Sequence, residues 1–149
     1  MRLSVGKLLV IGASLCLSAC GSMATRPLPQ EMNQALLELT GQDGRACIRI
    51  SEISGYASLS DSLLSVTTIR KSHALMVTNH RCPALESTSA AVFDGQFTQI
   101  CGGNRDFIVV VSERCSVRSI FEFDDRQAAL DAIDAAEQRI KAGRDNASS

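Results

Sequence analysis

Four cysteines, Cys47, Cys82, Cys101 and Cys115, punctuate the body of this chain with 34, 18 and 13 residues between successive members. The spacing contains no C-x-x-C or Cys/His pair suited to zinc or redox chemistry, so neither a metal site nor a dithiol redox motif is expected. An even number of such cysteines indicates two structural disulfides in a chain that matures in an oxidising compartment. Four cysteines allow three connectivities. If the segments either side of Cys101 form a tight hairpin, Cys115 lies at the far end of the returning strand, roughly 20 Å away at about 3.3 Å per residue. A bridge needs Cα atoms within about 7 Å. Cys101 with Cys115 is therefore disfavoured, and the reading leans to Cys47 with Cys101 and Cys82 with Cys115.

The compartment is written at the N-terminus. Arg2 and Lys7 precede an apolar run from Leu8 to Leu17, and the small residues Ser18, Ala19 and Gly21 follow; that layout is a secretory signal. The run is about ten residues, whereas a helix needs about twenty to cross a hydrocarbon core, so it is a signal and not a span. Leu17-Ser18-Ala19-Cys20 resembles the lipobox of bacterial lipoproteins. The resemblance implies removal of residues 1–19, a thioether-linked diacylglycerol on Cys20 and a palmitate-type chain on its amine. One such chain binds membranes only marginally and two already anchor stably, so three hold the protein permanently. Gly21, where an Asp would favour the inner membrane, implies the outer membrane with the body facing the periplasm. The alternative is an ordinary signal cut near Ala19 or Ala24.

Losing 19 of the 149 residues leaves 130, with 13 basic and 16 acidic residues, a net charge of −3. A mildly acidic body gains nothing from anionic headgroups, so the acyl chains do the holding. Nor does it offer the clustered positive charge that nucleic-acid binding requires. The covalent lipid on Cys20 is the one non-protein group expected; no cofactor is.

Residues 20–29 are small, polar and interrupted by Pro27 and Pro29, as a tether is. Residues 30–41 form a short helix with Met32, Ala35, Leu36, Leu37 and Leu39 along one stripe and Gly41 as its stop. From 45 to 123 the period becomes strand-like. Asp61-Ser62 and Lys71-Ser72 separate short segments that fold back on one another, and Asp94-Gly95 carries the strongest two-residue hairpin signal, between 91–93 and 96–101. Phe107-Ile108-Val109-Val110-Val111 reads as a central strand buried on both faces. Val117, Ser119, Phe121 and Phe123 give a last strand with one inward face. Residues 124–142 form a C-terminal helix, acidic at its start and basic at its end as the macrodipole prefers; 143–149 are a disordered tail. The fold class is mainly β, α+β overall: a small antiparallel β barrel or sandwich with two disulfides, a short N-terminal helix and a C-terminal helix.

Cys47-Ile48-Arg49, Ile53, Asp61, Cys82-Pro83-Ala84-Leu85, Cys101 with Asp106 five later, and Cys115 resemble the pattern of a domain-of-unknown-function family, sixty-four ninety-one, whose members are small secreted Gram-negative proteins. The resemblance covers about residues 45–123, excludes the helix after Phe123, and implies no activity. Members often carry an aromatic on the strand before the Cys-Pro element, where this chain has Leu75 and Met76.

Signatures of catalysis are missing: there is no G-x-S-x-G and no H-E-x-x-H. His73 and His80, seven apart, face opposite sides of a regular strand and do not share a metal. Asp106 reads as the side chain that caps the amides of the Gly102-Gly103-Asn104 turn. Cys101-Gly102-Gly103 is a turn and not a phosphate loop, because neither a Lys-Ser/Thr nor a helix start follows. Arg45, Arg49, Arg70, Arg81, Arg105, Arg114 and Arg118 read first as solvated strand faces with local partners, the alternative being a surface for carboxylates or sugar acids. The expected function is binding or structural support in the cell envelope, more in keeping with a non-enzyme. Two other readings stay open: an envelope enzyme without a recognisable motif, and an adaptor or inhibitor that binds an envelope protein.

Overall fold

A computed structural model describes residues 25–111 and 113–149; the expected signal segment, Cys20 and the first half of the expected tether lie outside the described residues. Six strands form one antiparallel sheet: β2 (Ile53–Ser58), β3 (Leu63–Thr68), β4 (His73–Thr78), β8 (Glu113–Phe123), β7 (Phe107–Val110) and β5 (Val92–Asp94), in that spatial order. The remaining two, β1 (Cys47–Arg49) and β6 (Gln99–Cys101), pair as a separate ribbon. The sheet curls into a half-barrel, because Tyr56 on one edge strand meets Phe93 on the other, ring edge to ring face with centroids 5.7 Å apart. The tyrosine hydroxyl donates to Ser89 O across the same seam.

Strand alternation creates two cores. In β3 and β4, Leu64, Val66, Ala74 and Met76 point into the curl with Ile48, Ile100, Ile108 and Val117, whereas Leu63, Leu75 and Val77 face the opposite layer. That second layer is two helices, α1 (Pro29–Thr40) and α3 (Arg126–Ala147), which bring Met32, Leu36, Ala129, Ile133 and Ala136, whereas the one-turn helix α2 (Ala84–Ser87) sends Leu85 into the curl. Leu75 and Met76 are thus core residues on opposite faces. No helix among the described residues is long and apolar enough to cross a membrane.

The central positions belong to β4 and β8, not to the 107–111 run. β7 lies next to the edge, with Ile108 and Val110 inward, Phe107 and Val109 half-exposed, and Val111 already beyond the strand and exposed. In β8, Val117 opposes Thr78 but Ser119 opposes Val77, so Arg118 has no opposite number and the strand carries a bulge. The extra residue reverses the alternation. Cys115 and Val117 face the curl, and beyond the bulge Ile120 does so while Phe121 turns to the helices. That is why the last strand is buried on both faces in its middle instead of one.

The Asp94-Gly95 hairpin does not form. β5 pairs with β7, and β6 pairs with β1. Gly95 is extended (φ −129°); it is needed because a Cβ there would sit 1.8 Å from Gln99 O. The reversal comes at Phe97 and Thr98 instead, both at positive φ.

The helices also differ from expectation at their ends. α1 starts at Pro29, with the Leu28 N–H held by the Glu31 carboxylate at 2.8 Å, and Gly41 closes it through a bond to Leu37 O. α3 is capped by Asp125, whose side chain accepts from Ala128 N–H at 2.8 Å, and runs through Gly143 to Ala147, into residues expected to be a tail. Arg144 holds that last turn: it pairs with Glu31 and donates to Thr25 O at 2.6 Å and to Arg26 O at 3.4 Å. Residues 25 and 26, within the segment expected to be a tether, are accordingly docked to the body, with Arg26 also paired to Glu86.

Candidate functional site

The β1–β6 ribbon places Cys47 directly opposite Cys101, and the two are bonded, with Cα atoms 4.1 Å apart. The second disulfide joins Cys82 to Cys115, Cα atoms 6.0 Å apart. The two have different surroundings: Cys82 and Cys115 are 2% and 5% exposed within the curl, whereas Cys47 is exposed and lines a cleft. Cys82 and Cys115 also lie within 4.8 Å of a Glu113 carboxylate oxygen, the one such cluster among the described residues. Both thiols are consumed by the bridge, so the cluster has no ligand pair to offer a metal.

The cleft is built by three segments. The ribbon supplies one wall, the tight turn at residues 96–98 a second, and the returning 102–106 segment the third, enclosing about 460 Å³. Its back is fixed by backbone bonds from Gly102 N–H to Ala46 O (3.1 Å) and from Gly103 N–H to Arg118 O (2.9 Å). Gly102 is needed there, because a Cβ would lie 1.9 Å from Gly44 O. Asp106, 3% exposed, accepts from Cys101 N–H at 2.7 Å. It satisfies the amide of the bridged cysteine, a residue just before the turn it was expected to cap.

Two arginines line this cleft, Arg45 and Arg105, both exposed. The other five arginines of the β domain have partners: Arg49 and Arg70 share Glu52, Arg81 holds Asp61 at 2.7 Å, Arg114 holds Asp94 at 2.8 Å, and Arg118 donates to the Asn79 side chain. Arg114 also lies over the Phe107 ring, 4.3 Å from its centroid. Neither Arg45 nor Arg105 has an ion pair or a side-chain hydrogen bond among the described residues. Local partners thus account for most of these arginines, and the two they leave over are in one place.

Phe97 completes the site. It is 92% exposed and held at φ 54°, ψ 41°, with Thr98 following at φ 65°. Left-handed backbone at a non-glycine residue costs roughly 1–2 kcal/mol, and such strain persists where the surroundings impose it. Here the loop must leave β5 in the sheet and enter β6 in the ribbon within a few residues. Gln96 and Gln99 line the same cleft. A strand over 96–101 would have hidden this feature; the signal against it was an aromatic between two polar residues directly after Asp-Gly.

The other candidates lie elsewhere. His73 is at the start of β4, its Nδ1 3.3 Å from Thr67 Oγ1, and His80 is in the following loop, its Nε2 3.3 Å from the Asn79 amide. Neither lines the cleft, where Asp106 is the one acidic side chain. Cys20, the expected lipid-attachment residue, is outside the described residues.

The model of the Family of unknown function (DUF6491) matches residues 1–139. The match takes in the N-terminal segment, α1 and most of α3 as well as the four-cysteine body, so the helix after Phe123 is part of the family pattern. No curated protein and no solved structure matches the chain.

Proposed function

The chain belongs to this family of unknown function, and from that premise we propose that it is a lipid-anchored protein of the cell envelope whose disulfide-stapled body binds a ligand at the ribbon cleft. The binding reading rests on one observation: of seven arginines in the β domain, the two that have no side-chain partner among the described residues line the same cleft. An ion pair left unmade at the surface costs little, so isolated arginines are unremarkable singly; two beside an exposed aromatic form a recognition surface. With no histidine and one acidic side chain in the lining, already engaged by a backbone amide, the cleft lacks the acid–base pair that turnover would use. That supports binding over catalysis.

The anchor rests on the lipobox-like Leu17-Ser18-Ala19-Cys20 behind a short apolar run, and two disulfides suit the oxidising periplasm. Gly21 supports the outer membrane over the inner. Intact mass spectrometry of protein extracted from membranes tests this reading. A chain beginning at Cys20 and carrying three acyl groups is expected, and Cys20→Ala is expected to leave the membrane fraction or to remain unprocessed. A lipid-free mature chain, or normal membrane retention of the alanine variant, would sink the anchor.

A further inference from the structure

We infer that the ribbon cleft takes a sugar acid, with its carboxylate held by Arg45 and Arg105, its ring face against Phe97 and its hydroxyls met by Gln96 and Gln99. The inference rests on the binding reading of the same cleft and is independent of the anchor.

Charge selects the class first. Guanidinium forks match a carboxylate in shape and bind it through paired charge-assisted hydrogen bonds. Two arginines against the single carboxylate of Asp106 leave the cleft with one net positive charge, which one carboxylate balances; a phosphate dianion would face Asp106 with charge to spare. A long polyanion is disfavoured by the net charge of −1 on the chain.

The rest of the lining selects among monoanions. Gln96 and Gln99 each offer two N–H donors and a carbonyl acceptor, and hydroxyls, which both donate and accept, can use them all. The Phe97 ring, held out at 92% exposure by its left-handed backbone, presents a flat apolar face that matches the C–H face of a pyranose. At about 460 Å³ the cleft falls within the roughly 300–1,000 Å³ of small-molecule sites.

The experiment is saturation-transfer NMR on the full chain purified in a sugar-free zwitterionic detergent. Glucuronic acid is the probe; glucose, acetate and N-acetyl-leucine are the controls. A saturable signal is expected for glucuronic acid, with at least about tenfold weaker binding of glucose, which lacks the charge, and of acetate, which lacks the ring. Arg45→Gln and Arg105→Gln are each expected to weaken glucuronic acid about tenfold, and Phe97→Ala less. Arg70→Gln, outside the cleft, should leave binding unchanged. Equal binding of glucose, or of glucuronic acid by the arginine variants, overturns the inference. If N-acetyl-leucine binds as tightly and depends on the same arginines, the sugar assignment falls and the cleft remains a carboxylate site. If no probe saturates, the binding reading of the cleft falls with it.

Discussion

Asp106 has one carboxylate oxygen 2.7 Å from the Cys101 N–H and almost no exposure to water, so its replacement by alanine leaves a poorly solvated amide donor without a partner. Such a loss costs about 1–3 kcal/mol. Asp106→Ala should lower the unfolding midpoint accordingly in a denaturant titration, while Asp106→Asn, which keeps an acceptor oxygen, should recover most of the loss; equal midpoints for alanine and wild type would show that water replaces the side chain. Gly95 makes the same point with space instead of hydrogen bonding. Its backbone is extended and open to any residue, but a Cβ would lie 1.8 Å from Gln99 O and 2.6 Å from Gln99 C, and neither atom belongs to a side chain that could swing away. Gly95→Ala should therefore destabilise by about 1–3 kcal/mol, the usual range for overpacking. From the sequence, Asp94-Gly95 announced that a glycine was required. It did not say whether the requirement was positive φ or a close approach, and the hairpin failed on that difference.

At the level of elements, the turns at 61–62 and 71–72 were legible because β3 and β4 are joined to their neighbours locally and carry unambiguous alternation. The β1–β6 ribbon was not, because its partners are about fifty residues apart and each strand has only three residues. The bulge at Arg118 was equally hidden: in sequence the reversal of alternation shows only as two adjacent apolar residues, Ile120-Phe121. The C-terminal helix outruns expectation for an energetic reason. Gly143 costs about 1 kcal/mol in a helix relative to alanine, but the following Arg144 reaches Glu31 and the carbonyls of Thr25 and Arg26. Those contacts also make the α1–α3 pairing sensitive to acid. The hydrogen bond from Arg144 is the main cause that holds the Glu31 carboxyl below its usual range, and the Gln34 amide, followed by Arg139, does the same for Glu38. A depressed carboxylate adds stability that is present above its unfolded pKa, near 4.5, and lost as the pH falls through the lower folded value. Amide protection in the last turns of α3, taken relative to the intrinsic exchange rate at each pH, should therefore fall below about pH 4, and Glu31→Gln should remove much of that acid dependence. The effect is small, about 1 kcal/mol or less for a partly exposed pair. Identical acid limbs for variant and wild type would exclude Glu31 as its source.

For the molecule as a whole, the two bridges hold different things together. Cys47–Cys101 spans 54 residues and fastens the ribbon that carries the cleft; Cys82–Cys115 spans 33 and ties the loop bearing Leu85 over the curl onto β8. Closing loops of these lengths removes enough unfolded-state entropy to be worth about 4 kcal/mol each in the chain-entropy model, against a total stability of about 5–15 kcal/mol for a typical domain. Loss of either bridge is thus a large fraction of what holds the fold. Access, however, is unequal. A thiolate must reach a sulfur to exchange with it, and Cys47 is exposed whereas Cys82 and Cys115 lie in the core. Under native conditions a mild reductant should free Cys47 and Cys101 first. Differential alkylation followed by peptide mass should find those two thiols labelled while Cys82 and Cys115 stay bridged, and only denaturant should release the second pair. The partly reduced protein should keep its sheet and lose affinity at the cleft, whose wall the first bridge fixes. Simultaneous appearance of all four thiols would mean that the ribbon is part of the cooperative core, so that opening the cleft and unfolding the domain are one event.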